Sequence, residues 1–191
     1  PSRPFHGNNR LLTSQIVSYY ESINQCKKEL PEYFNFASDV LDEWARLEKD
    51  GSKPANPAFW WVSEEGEEVK WSFEELGCLS RKAANVLCEA CALQRGDRVL
   101  AVLPRVPEWW LLIFPTASCF FPGIVFIPGT SQLTAKDISY RLQASKAKCI
   151  ITSDTLAPAL EPALPSSQFL QSKLIVGRGS RAGWLNLREL L

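Results

Sequence analysis

Five consecutive residues, Pro128-Gly129-Thr130-Ser131-Gln132, hold the strongest ligand-binding chemistry in the sequence. Thr130, Ser131 and Gln132 carry hydrogen-bonding groups, and Gly129 allows a close backbone approach. The same residues also suit the start of a helix, and on chemistry alone that reading is the stronger one. Other candidates are weaker. Cys88-Glu-Ala-Cys91 is a lone C-x-x-C, and the single histidine is His6, far away in sequence. Structural zinc needs four ligands, so two thiols on a helix facing a core is the simpler reading, with a redox pair as the alternative. His6 would also have to serve as base for any Ser or Cys nucleophile, from a terminus expected to be disordered. Gly177-Arg-Gly-Ser-Arg-Ala-Gly183 follows an apolar run as a dinucleotide loop does. Its spacing is off by one and no helix obviously follows, which favours a surface loop. Arg95-Gly96-Asp97 spells an adhesion tripeptide but reads as a turn with its charges facing water. Trp60-Trp61 and Trp109-Trp110 can stack bases, yet packing between layers is the expected use.

The elements that must position these groups follow from periodicity. Phe36, Val40, Leu41, Trp44 and Leu47 share one face of a helix over residues 36–49. Phe59–Val62 and Glu68–Trp71 read as two strands around an acidic turn at Gly66. Ser72 and Glu75 have capping-box spacing and open a helix with the stripe Phe73, Leu76, Leu79, Ala83, Leu87 and Ala90. Val99–Leu103 is continuously apolar, as a strand covered on both faces must be. Pro107 and Glu108 suit a first helical turn, where a missing amide and a negative charge are both favourable. Ile124–Ile127, Cys149–Thr152 and Lys173–Val176 are further strands. Thr134 and Asp137 open the helix between the first two of these, and Pro158, Pro162 and Pro165 allow only short helices between the last two. Strands alternating with helices predict an α/β fold with a parallel or mixed sheet and right-handed crossover helices. Ligands then bind beyond the carboxyl ends of the strands, here Leu103–Val106, Pro128–Gln132 and Ser153–Asp154.

Composition narrows the function classes. The chain has 191 residues, 21 Lys plus Arg and 21 Asp plus Glu. The resulting zero formal charge argues against nucleic acid as a partner. No apolar run is long enough for a transmembrane segment. Six cysteines at irregular spacing are expected to be free, buried thiols of a reducing compartment. Residues 1–33 read either as a disordered terminus or as the remnant of a transit peptide, since residues 1–20 contain Arg, Ser and Thr but no acid.

Several strings in fixed order are informative together. They are Phe34–Asp42 (FNFASDVLD), Pro57–Val62 (PAFWWV), Leu93–Val99 (LQRGDRV), Leu103–Trp110 (LPRVPEWW), Pro128–Thr130 (PGT), Tyr140–Gln143 (YRLQ), Ser145–Lys148 (SKAK) and Gly183–Leu191 (GWLNLRELL). From about Phe34 to Leu191 the chain resembles the amino-terminal part of a mitochondrial medium-chain acyl-CoA synthetase of the adenylate-forming superfamily. The resemblance implies that residues 34–191 are the first part of that family's large domain. It implies a fatty-acid:CoA ligase activity in the mitochondrial matrix. ATP and a medium-chain fatty acid give acyl-adenylate and pyrophosphate, and the CoA thiol then displaces AMP. The implied cofactors are ATP, CoA and Mg.

The resemblance places the family's phosphate loop, adenine segment, acidic ribose contact and catalytic Lys beyond Leu191. No catalytic or metal-binding residue is therefore assigned, and the chain alone is expected to be inactive. The one residue carried across is Gln132, as a CoA contact; otherwise it caps the next helix. A departure lies at Leu111–Gly123 (LLIFPTASCFFPG), about three residues longer than the family's helix and lacking its Arg, with Pro115 able to kink or break it. Two other classes remain open: a truncated, non-catalytic fragment acting as a binding or interaction module, and a nucleotide-binding regulator using the glycines at 177–183.

Overall fold

A computed structural model describes residues 17–18, 32–53, 56–116 and 123–191. The chain divides into two units, Pro1–Phe34 and Asn35–Leu191, and all elements below belong to the second. His6, Cys26, Cys119 and nearly all of the transit-like segment lie outside the described residues.

A π-helical turn, Ala37–Asp42, runs into helix α1 (Glu43–Lys49). Asn35 starts it, its Oδ1 accepting from the amides of Ala37 at 2.9 Å and Ser38 at 3.2 Å. Of the face expected there, only Leu41 is fully buried, and Trp44 instead stacks on Phe73 from the solvent side. Strands β1 (Phe59–Val62) and β2 (Glu68–Trp71) form an antiparallel hairpin. Trp60 does not pack between layers as expected. It is 58% exposed, with the Lys70 ammonium 4.3 Å from its ring centroid.

Helix α2 (Phe73–Asn85) opens with the full capping box: Glu75 N–H donates to Ser72 Oγ and Ser72 N–H to Glu75 Oε2. It continues as a second π turn, Val86–Ala90, closed by the amide of Cys91 donating to Val86 O. Leu87 is buried as the stripe requires, and Val86 with it, while the wider turn takes Ala90 off the stripe and into solvent.

The main sheet has five parallel strands in the order β4-β3-β5-β6-β7. They are β3 (Arg98–Val102), β4 (Val125–Gly129), β5 (Cys149–Ser153), β6 (Ser172–Val176) and β7 (Leu185–Asn186). Helix α3 (Pro107–Thr116) joins β3 to β4, and α4 (Ala135–Ser145) joins β4 to β5. The backbone of α3 stays helical through Pro115 to Thr116. Residues 117–122 lie outside the description. Between β5 and β6, α5 (Ala157–Leu160) and a 3-10 turn, Glu161–Ser166, replace a longer helix, as the three prolines require. Helix α6 (Leu187–Leu190) follows β7.

Alternation along β3 builds two cores. Val99, Ala101 and Leu103 face one side with Leu87, Leu112 and Ile151. Leu100 and Val102 face the other with Ile138, Leu142 and Ile150. Each large aliphatic side chain so buried contributes about 1.5–3 kcal/mol. The turn feeding β3 departs from expectation at one residue. Asp97 is buried, not solvent-facing: it accepts from the Gln94 amide at 2.8 Å and pairs with Lys148 at 2.9 Å. Burial raises its pKa, but the Lys148 and Gln94 hydrogen bonds and the Lys148 and Arg98 charges outweigh this and hold it below the ordinary range.

Two outcomes follow. Leu142→Ala, at a fully buried site, is expected to cost about 2–5 kcal/mol in denaturant unfolding, against under about 0.5 kcal/mol for Val125→Ala. A loss under about 1 kcal/mol at Leu142 contradicts the two-core packing. Hydrogen bonds from Arg181 and Trp184 hold the Glu161 carboxyl down at about 2. A carboxyl lowered on folding stabilises above its unfolded pKa, so this contribution is lost as pH falls from roughly 5 toward 2. Glu161→Gln is expected to flatten that part of the stability–pH curve. An unchanged acid slope removes the linkage.

Candidate ligand site

Two neighbouring strand ends create the site. β3 stops where Pro104 removes an amide from the ladder. Val106 N–H donates back to Pro104 O at 2.8 Å, and Pro107 opens α3. The Trp61 indole N–H donates to Arg105 O at 2.7 Å, tying the β1–β2 hairpin to this corner. Val102 pairs with Gly129 in parallel register, so residues 103–105 and 130–132 leave the sheet side by side.

The β4 end turns just as sharply. Leu133 N–H donates to Thr130 O at 3.2 Å, and Thr134 then caps α4 with Asp137 as reciprocal partner. Thr134, two residues past Gln132, is therefore the helix cap. Gln132 stays exposed on the rim beside Thr130 and Ser131. Gly129 has a packing role: an added Cβ would sit 2.9 Å from Leu133 Cδ1 and 3.2 Å from Ala101 O.

Between the strand ends lies a cavity of about 740 Å³, within the usual range for small-molecule sites. Leu103, Pro104 and Pro128 give it an apolar floor, and Trp109 and Trp110 give it an aromatic wall. Trp109 is fixed edge-on against Phe126, while Trp110 is 43% exposed. Arg105, Thr130, Ser131 and Gln132 supply the polar groups. The structure thus brings together two of the three strand ends expected from sequence. The third, Ser153–Asp154, does not line this cavity. Ser153 Oγ accepts from Leu156 N–H, and Asp154 accepts from Arg178 N–H.

The other sequence candidates find structural roles. Gly177 lies against the Asp154 carboxylate, which a Cβ at 177 would overlap. Asn186 Nδ2 donates to Gly177 O and Gly179 O, so the fold itself uses these backbone groups. Cys91 is buried but Cys88 only partly, and burial pushes the Cys88 thiol up to about 11. The neighbouring Cys149 thiol lowers Cys91, while burial above all raises Cys149, whose thiol donates to Ile150 O at 3.8 Å. Cys78 is exposed, against the expectation of buried thiols throughout. Among the described residues no group of three or more His, Cys, Asp or Glu is placed to hold a metal ion. No described helix is long and apolar enough to cross a membrane. Sequence reasoning put Leu103–Val106 at an expected ligand end but did not single out Arg105, and read the two tryptophans as packing residues, because only the parallel register brings this strand end beside residues 130–132.

The Brucella canis acyl-CoA synthetase superposes with a TM-score of 0.67 at 19% identity, covering 90% of this chain and 30% of that one. A family profile described as AMP-binding enzyme matches residues 45–189. The chain belongs to the AMP-binding enzyme family. It is 60% identical over 190 residues to the mitochondrial acyl-coenzyme A synthetase ACSM3 of Homo sapiens, covering 99% of this chain and 32% of that protein. Against the human mitochondrial acyl-coenzyme A synthetase ACSM5 it is 59% identical over 177 residues, covering 93% and 30%. The chain thus spans about a third of the length of these relatives.

Filling the space at Gly129 tests the site's construction. Gly129→Ala is expected to cost about 1–3 kcal/mol and to shift the fluorescence of the neighbouring tryptophans. An unchanged denaturation midpoint and spectrum would show that the two strand ends are not packed against each other here.

Proposed function

We propose that this chain forms the front of a medium-chain fatty-acid:CoA ligase of the mitochondrial matrix, and that its cavity contributes part of the CoA site through Gln132. The observation carrying this reading is the cavity itself. It places an exposed Gln132 and two hydroxyls across from an aromatic wall, at the strand ends where α/β sheets take ligands. Similarity to mitochondrial acyl-coenzyme A synthetases supports the reaction, and the names of those relatives support the mitochondrion as the organelle. In the full-length ligase, ATP and the fatty acid form acyl-adenylate with release of pyrophosphate. The CoA thiol then attacks the acyl carbon and AMP leaves. Magnesium in that reaction neutralises phosphate charge and belongs with ATP.

The role of this chain's residues is binding and orientation. The Gln132 amide can both donate to and accept from the amide-rich arm of CoA. The tryptophan wall excludes water along that arm. No described residue is assigned to the adenylation chemistry, so the 191-residue chain incubated with ATP, magnesium, octanoate and CoA is expected to release no AMP. Sustained AMP formation contradicts that assignment. In the full-length ligase, Gln132→Ala is expected to raise KM for CoA roughly tenfold while ATP–pyrophosphate exchange stays within about twofold. An unchanged KM for CoA, or an equal loss in both half-reactions, overturns the role of Gln132.

A further inference from the structure

We propose that Arg105 is the residue through which this cavity recognises a phosphate group of CoA. This rests on the reading of the cavity as a CoA site and adds to it the group that reads the ligand's charge. Three observations carry it. First, the backbone at Arg105 is held in place: Pro104 and Pro107 bracket it, and the Trp61 indole N–H fixes its carbonyl at 2.7 Å. Second, Arg105 is exposed on the cavity side and no described carboxylate lies within ion-pair distance of it. Among the described residues the cavity lining contains no acidic side chain either, so Arg105 is the charged group they bring to it. Third, Val102 and Gly129 are register partners, so Arg105 and the Thr130 and Ser131 hydroxyls emerge from adjacent strands. Adjacent strands are about 4.8 Å apart. A guanidinium on one strand end and two hydroxyls on the next can share a single tetrahedral anion, the guanidinium donating in pairs.

The rest of the cavity decides which anion. A free inorganic anion needs no apolar surface, whereas Leu103, Trp109 and Trp110 line the same cavity as Arg105 with apolar and aromatic surface. A phosphate joined to a long, weakly polar arm satisfies both halves. ATP phosphates and a fatty-acid carboxylate share the anionic chemistry, so the test separates them.

The 191-residue chain is titrated with CoA, pantetheine, ATP and octanoate by calorimetry, with intrinsic tryptophan fluorescence as a second signal. Wild type is expected to bind CoA about tenfold more tightly than pantetheine, with the gap closing at high salt. Arg105→Gln is expected to weaken CoA about tenfold and leave pantetheine unchanged, and Arg105→Lys to restore part of the loss. Because Arg105 is exposed, equal thermal midpoints of the three proteins are expected. If Arg105→Gln leaves CoA binding unchanged, or weakens CoA and pantetheine equally, the phosphate role is overturned while the CoA site stands. If it weakens ATP or octanoate instead of CoA, the assignment to CoA is overturned. If neither CoA nor pantetheine binds wild type, the reading of the cavity as a CoA site fails, and the role of Arg105 fails with it.

Discussion

The fold depends on burying β3 on both faces and hydrogen-bonding it along both edges. It pairs with β4 on one side and β5 on the other. Its residues Val99, Leu100, Ala101 and Val102 are fully buried. A strand held in this way cannot slip by one residue without exchanging the contents of its two cores. Its carboxyl end is therefore fixed in space, and with it the point at which Leu103 and Arg105 leave the sheet. The buried Thr152 hydroxyl reinforces this end by donating to Val102 O at 2.9 Å.

Charge pairs secure the two ends of the same strand. At its start, Asp97 and Lys148 link the turn before β3 to the turn before β5. Just past its end, Glu108 in the first turn of α3 meets Arg188 of α6 at 2.6 Å. Both acids are largely buried, so removing either basic partner leaves an uncompensated charge, which costs more than the pair contributes. Among the described residues the second oxygen of Glu108 has no hydrogen-bond partner, which makes its contact with Arg188 the more consequential. The pair thus ties the last helix to the corner from which the cavity opens.

Much of this was legible in the sequence because local signals and burial agree. The Ser72–Glu75 and Thr134–Asp137 spacings specify helix starts through reciprocal hydrogen bonds that need no tertiary context. The continuous apolar run at 99–103 needs cover on both faces. What escaped prediction depended on non-local geometry. The π turn at Val86–Ala90 shifts the buried face by one residue, which a 3.6-residue period cannot anticipate. Asp97 looks like a solvated turn residue until Lys148, 51 positions away, is placed beside it. Asp154 belongs to an expected ligand-binding strand end, yet Gly177 and Arg178 occupy its surroundings. Gln132 was singled out by its polar loop and family resemblance, whereas Arg105 lies on a different strand end and needed the register to join it.

The central claim is that the paired ends of β3 and β4 form a CoA-binding corner, apolar within and positively charged at Arg105. A crystal structure of the chain grown with CoA tests it most directly. The account predicts the pantetheine arm along Trp109 and Trp110, with Gln132 in hydrogen-bond contact and a phosphate at Arg105. Well-ordered CoA seated at another strand end, such as the glycine loop at 177–183, with this corner empty, would contradict it.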